Sequence, residues 1–238
     1  MAMLTLVLSL GILLQPSFGQ DESIPFESLN TEQPDVQEEI VNKTNECRRS
    51  VSPTAQDMQE MRWDEDMAIQ LREVAKKCSS NHSTKEQRMY NGTTCGENMA
   101  LARTPMPWPT MINAFNDEYK NFSYGSGGKT NDSMFGHFTQ LCWYSSFKLA
   151  AAVNNCSDAF GPVFIFWMWF WPSGNYADEI NFPYKNGTPC GSCPNNCTNG
   201  LCNNPCWAWN TCSGCAGNKH LCQREDVSSC CKKMCTCD

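Results

Sequence analysis

The chain has 238 residues, a formal net charge of -7, seventeen cysteines and only three histidines. The acidic balance argues against a nucleic-acid partner, because phosphate binding calls for a basic face. Cysteine at this density argues against a reducing compartment and for disulfides formed in an oxidising one.

Met1 to Gly19 hold the apolar run LTLVLSLGILL and end in Pro16, Ser17, Phe18 and Gly19. This reads as a secretory signal peptide, with Ser17 and Gly19 as the small residues before a cut that leaves Gln20 first. The run is shorter than the ~20 residues that cross a bilayer. Residues 20–35 form an acidic extension.

Pro34 and Asp35 then open a helix in which Val36, Ile40 and Cys47 recur at helical spacing, and Ser52-Pro53 stops it. Asp64 caps a second helix whose apolar stripe is Met67, Leu71, Val74 and Cys78. Pro109 starts a third, with Ile112, Phe115, Tyr119 and Phe122 on one face and Glu118 beside it. The Gly-rich GSGGK breaks the chain, and His137 begins a short helix carrying Phe138, Leu141 and Cys142. KLAAAV and VFIFWMWFW read as strands, the second too short for a membrane span. Helices followed by strands around one core make the fold class α+β.

Composition changes near Thr188: twelve of the seventeen cysteines lie in the last 49 residues. A segment that small buries little apolar area and depends on cross-links. Two domains are therefore expected, meeting between Tyr184 and Cys190. Eight Asn-x-Ser/Thr sequons, at Asn42, Asn81, Asn91, Asn121, Asn131, Asn155, Asn186 and Asn196, fit passage through a glycosylating secretory route.

The segments RRSVSPTAQDM, WDEDMAIQLREVAKKC, CGENMA, NDE before FSYG, GHFTQLCW and PYKNGTPCGSC follow one another as in the cysteine-rich secretory proteins of the CAP superfamily, which the chain resembles. The resemblance implies an α-β-α sandwich over residues 36–184, a disulfide hinge over 185–205 and an ShK-like cysteine-rich domain over 206–238. It also implies a cavity shared by His82, Glu97, Glu118 and His137. Two imidazoles, His82 and His137, would hold a divalent metal, zinc first, weakly and in an open site, with the carboxylates orienting them from behind. A buried polar cluster in which each Glu satisfies a His is the alternative at even weight. His220, the third histidine, is expected to be merely exposed.

Family connectivity would pair Cys78 with Cys156, Cys190 with Cys197, Cys193 with Cys202, Cys206 with Cys237, Cys215 with Cys231 and Cys222 with Cys235. Here the chain departs from its relatives. Ala151 and Met168 stand where a second first-domain pair belongs, and Trp171 stands where Cys95 should find its partner. Cys47, Cys95, Cys142, Cys212 and Cys230 are left outside the scheme. Cys47 and Cys142 point inward by periodicity and are either bonded to each other or, slightly preferred, buried thiols.

The last three bridges resemble the knot of channel-blocking ShK toxins. That resemblance implies ion-channel modulation, with Lys219, Lys232, Lys233, Trp207 and Trp209 as candidate contacts, although no tyrosine follows Tyr184 to complete a Lys and Tyr pair. The expectation is a secreted, non-enzymatic protein of reproductive-tract, gland or venom secretions that acts on cell-surface proteins or ion channels, with sterol or lipid binding in the first domain. Two further classes stay open: a metal-assisted hydrolase using the His/Glu tetrad, and an adhesive extracellular glycoprotein.

Overall fold

The computed structural model describes residues 24–205 together with Gln223 and Glu225. Its helices are α1 (Pro34–Arg49), α2 (Glu65–Ala75), α3 (Trp108–Asp117) and α4 (Gly136–Leu141). Its strands are β1 (Arg62–Trp63), β2 (Met89–Tyr90), β3 (Thr93–Thr94), β4 (Gly96–Ala102), β5 (Phe122–Ser123), β6 (Gly127–Gly128), β7 (Lys148–Asp158), β8 (Gly161–Trp171), β9 (Cys197–Thr198) and β10 (Leu201–Cys202). None of the described helices is long and apolar enough to cross a membrane.

One four-stranded sheet, ordered β1-β7-β8-β4, organises the body. β7 and β8 pair antiparallel along their length from Lys148↔Trp171 to Asp158↔Gly161, and β4 joins β8 antiparallel at the edge. The apolar run of β8 lacks alternation because both faces of the sheet are covered. Phe164, Phe166, Met168 and Phe170 pack with α1, α3 and α4, while Val163, Ile165, Trp167, Trp169 and Trp171 pack with α2. Alternate residues of one strand thus serve two cores, which is the α-β-α layering expected of the chain.

Helix boundaries fall close to their sequence signals. The Asp64 side chain accepts from the Met67 amide at 2.9 Å and caps α2 as expected. Val74 is only half-buried, with Ala68 and Ala75 completing the buried stripe. The third helix needs a correction. It begins at Trp108, ends at Asp117, and tightens into a 3-10 turn over Glu118–Asn121. The tighter turn rotates successive side chains further than an α-helix does, which carries Tyr119 off the buried face to 48% exposure.

Two segments expected outside the first domain are packed onto it. Near the N-terminus Leu29 is buried, its carbonyl accepts from the Trp108 indole at 3.1 Å, and Phe26 lies 5.6 Å from Phe164 between ring centroids. The cysteine-rich stretch from residue 185 runs beside residues 54–60. Gln56 donates to the Lys185 carbonyl and Ser192 to that of Gln56, both at 2.9 Å, and the Cys202 amide donates to the Met58 carbonyl at 2.8 Å. Leu201 enters the main core.

The bridges Cys78–Cys156, Cys190–Cys197 and Cys193–Cys202 are present. The other three expected pairs, and Cys212 and Cys230, lie outside the described residues. Cys47, Cys95 and Cys142 are free and buried. Removal from water pushes the Cys47 thiol up to about 11 and that of Cys95 to about 12, and raises that of Cys142 too. All three are therefore neutral and unreactive packing groups near neutral pH. The departures at the missing bridges have a geometric basis: Ala151 and Met168 are direct cross-strand partners, both fully buried. Cys95 comes one step before the ladder pair Gly96↔Phe170, so Trp171 follows Phe170 at the matching place. Trp171 stands in the place where the resemblance implies a cysteine, and Cys95 lies 3.5 Å from the Met67 sulfur.

Candidate functional site

Two His–Glu couples hang from consecutive positions of the edge strand β4. Glu97 points to the α2 side of the sheet, opposite Trp169 in the ladder. Its side chain is wholly buried, and both oxygens are saturated. Oε1 pairs with His82 Nδ1 at 2.7 Å and accepts from the Ser83 amide at 3.0 Å, while Oε2 accepts from the Trp169 indole at 2.8 Å and from the Ser83 hydroxyl. A buried carboxylate is tolerable only when donors are supplied in this way.

Asn98, the next residue, faces the opposite layer and donates to the His137 carbonyl at 2.9 Å. His137 in turn pairs through Nδ1 with Glu118 Oε1 at 2.7 Å. The second oxygen of Glu118 accepts from the His137 amide at 2.8 Å and the Phe138 amide at 3.4 Å, so this carboxylate also closes the start of α4. Burial works to raise the Glu118 pKa, but the hydrogen bond and charge of His137 and the two amides together hold it below the ordinary carboxylate value. The His137 ring packs 4.8 Å from Phe115.

The glycine of the Gly-Glu-Asn segment has a packing role. A Cβ on Gly96 would fall 2.0 Å from the Gln140 side-chain oxygen, which accepts from the Gly174 amide at 3.1 Å. Only hydrogen at this position lets α4 approach β4 closely enough for Asn98 to reach His137. The two short segments, 96–98 and 136–140, therefore interlock.

In both couples a carboxylate engages Nδ1, so Nε2 is the ring nitrogen left for a ligand. The His82 side chain is 57% exposed and that of His137 is 26% exposed. The donor set fits a borderline-soft divalent ion such as zinc held through two imidazole nitrogens. Among the described residues, the one group of three or more ligand atoms within 4.8 Å of each other is Cys190, Cys193 and Cys202, and these sulfurs are in disulfides. Among the described residues the four titratable groups thus stand as two His–Glu couples, with no three of their ligand atoms gathered within that distance.

The sequence motifs pointed to the four titratable residues but missed their supports. Ser83, Asn98 and Trp169 each donate to the couples. Adjacency to His82 and Glu97 marks the first two; Trp169 becomes visible only once the β4/β8 register is known. Trp207, Trp209, Lys219, Lys232 and Lys233 lie outside the described residues.

Residues 41–170 match the model of the family named CAP, cysteine-rich secretory protein family. Cysteine-rich secretory protein 3 of the horse, Equus caballus, is 41% identical to this chain over 209 residues, which cover 87% of this chain and 84% of the horse protein. Among solved structures, Na-ASP-1 aligns with a TM-score of 0.59 at 25% identity over 70% of this chain, which spans just under half, 46%, of Na-ASP-1. The crystal structure of NaASP2 with Zn2+ aligns with a TM-score of 0.56 at 25% identity, covering 71% of this chain and 96% of that one.

Proposed function

The chain belongs to the CAP family of cysteine-rich secretory proteins, and on that footing we propose that it is a secreted, non-enzymatic binding protein whose body takes up zinc reversibly between His82 and His137. The observation that carries this reading is the pair of imidazoles, each held at Nδ1 by its own carboxylate and each with no hydrogen bond to Nε2 among the described residues. Two protein nitrogens make a weak, open site rather than a permanent structural one. The family model and the zinc-bearing relative NaASP2 support the reading.

A hydrolase would need Glu97 as a base, yet four donors already occupy that carboxylate. Ser83 is buried with its hydroxyl turned onto the carboxylate, so it is not presented to a substrate as a nucleophile. These contacts favour binding over turnover.

The expected action on cell-surface targets rests on the resemblance of residues 206–238 to channel-blocking modules. The expected sterol or lipid binding rests on the resemblance; a cavity of about 410 Å3 has Cys47, Val51, Phe122 and Phe138 on its wall, but Ser50, Ser52, Asn116 and Asp117 line it as well.

Calorimetric titration of the purified protein with zinc is the direct test. Binding that disappears in the His82→Ala, His137→Ala double variant is the expected result; equal binding by the double variant overturns the assignment. Currents recorded with the protein in the bath test the channel role, which fails if micromolar protein changes no current.

A further inference from the structure

Asn81, His82 and Ser83 form a sequon inside the site itself. Asn81 is exposed, the His82 ring is open to solvent, and Ser83 is buried with its hydroxyl donating to Glu97. Glu97, behind the imidazole, exposes none of its side chain, so the couple meets solvent through the His82 ring. We propose that Asn81 carries an N-linked glycan in the secreted protein, and that this glycan covers the open side of His82, admitting an ion to Nε2 while hindering larger reagents and macromolecules.

The acceptor amide belongs to the residue adjoining His82, about 3.8 Å away between Cα atoms. A branched, solvated sugar rooted there sweeps the space in front of the imidazole. An ion needs only a path a few ångströms wide, whereas a peptide needs the whole face. The shield thus turns an exposed metal-binding arm into one selected by size.

The fold also dictates when the sugar is added. Recognition of the sequon requires the Ser83 hydroxyl, and in the folded protein that hydroxyl is sequestered on Glu97. Attachment must precede folding of this segment. The bridge just ahead of it, Cys78–Cys156, joins residues 78 apart, so it cannot close until Cys156 has been synthesised, and Asn81 stays available in the interval.

The proposal rests on His82 being the open arm of the site and on passage through the secretory route, but not on zinc. The test uses the full chain secreted from mammalian cells, with site occupancy read by mass spectrometry of the glycopeptides. Occupancy at Asn81 is expected, with the equally exposed Asn42 and Asn131 as references. Glycans on the references and none on Asn81 overturn the proposal, and so do glycans on none of the three; failure of the chain to reach the medium overturns the secretory reading instead.

Carbethoxylation of His82 is then followed in the secreted protein, in the same protein after enzymatic glycan removal, and in Asn81→Gln. A rate roughly twofold or more higher without the sugar is expected from the bulk of an N-glycan, with free N-acetylhistidine in the same reaction as the standard. Equal rates refute the shield. Zinc affinity should stay within about twofold across these forms, because an ion is small beside the sugar. A larger gain on deglycosylation refutes the size selection, whereas zinc binding by none of them would remove the metal reading and leave the shield standing on the carbethoxylation rates.

Discussion

Replacing Glu118 by Gln keeps the shape of the side chain and removes its charge, which isolates what the carboxylate does for α4 and His137. It accepts two main-chain amides at the start of α4 and one imidazole nitrogen. The Gln amide oxygen can still accept the two amides, so what is lost is a negative charge at a helix start, about 0.5 kcal/mol, and a partly exposed charged pair, about 0.5 kcal/mol, or about 1 kcal/mol in all near pH 7. For a chain of this size that is a fall in Tm of roughly 2–4 °C. Because the folded-state pKa of Glu118 is depressed below its ordinary value of 4.5, its contribution is complete above that value and disappears as pH falls through the folded pKa. Calorimetric scans of both proteins near pH 7 and near pH 3 check this: the gap in Tm should be present at the higher pH and narrower at the lower. A gap that is absent near pH 7, or equally wide at both values, refutes the assignment of charge to this contact.

Arg48 is buried and donates to the carbonyls of Gln59, Leu141 and Ser146 at 2.8–2.9 Å, so Arg48→Met should cost about 3–5 kcal/mol in urea denaturation, because it strands several buried acceptors. Gly96→Ala should cost about 1–3 kcal/mol by the same assay and weaken zinc binding, because its new methyl displaces Gln140. Cys47, Cys95 and Cys142 should resist a thiol reagent in the native protein and label fully in denaturant, as read by peptide mass spectrometry; labelling of any of them at a rate typical of an exposed thiol would contradict its burial. Replacing Cys78 and Cys156 together by Ser should lower stability by about 2–4 kcal/mol, since the bridge closes a long loop.

Local signals located most of the elements that carry the site. Asp64 announces the start of α2, and helical spacing marks the inward positions of α1. What one-dimensional periodicity cannot encode is register. The opposition of Ala151 and Met168 is a property of the β7/β8 ladder, and the Trp169 donor to Glu97 is a property of β4/β8. The third helix was overextended because Tyr119 and Phe122 satisfy an α-helical spacing that the 3-10 turn at Glu118 interrupts. The anchoring of residues 185–205 was equally invisible, because it runs through main-chain hydrogen bonds to residues 54–60 that leave no side-chain pattern.

The bond from the Trp169 indole to Glu97 gives the site an optical reporter of its own. Trp108, Trp143, Trp167, Trp169 and Trp171 are all at most 2% exposed, so their emission lies at the blue end and is indifferent to the solvent. Trp169 alone among them shares the carboxylate that steadies His82. An event at that imidazole reaches the indole through the shared carboxylate, so a change in ultraviolet fluorescence on adding zinc would report it without attaching a dye.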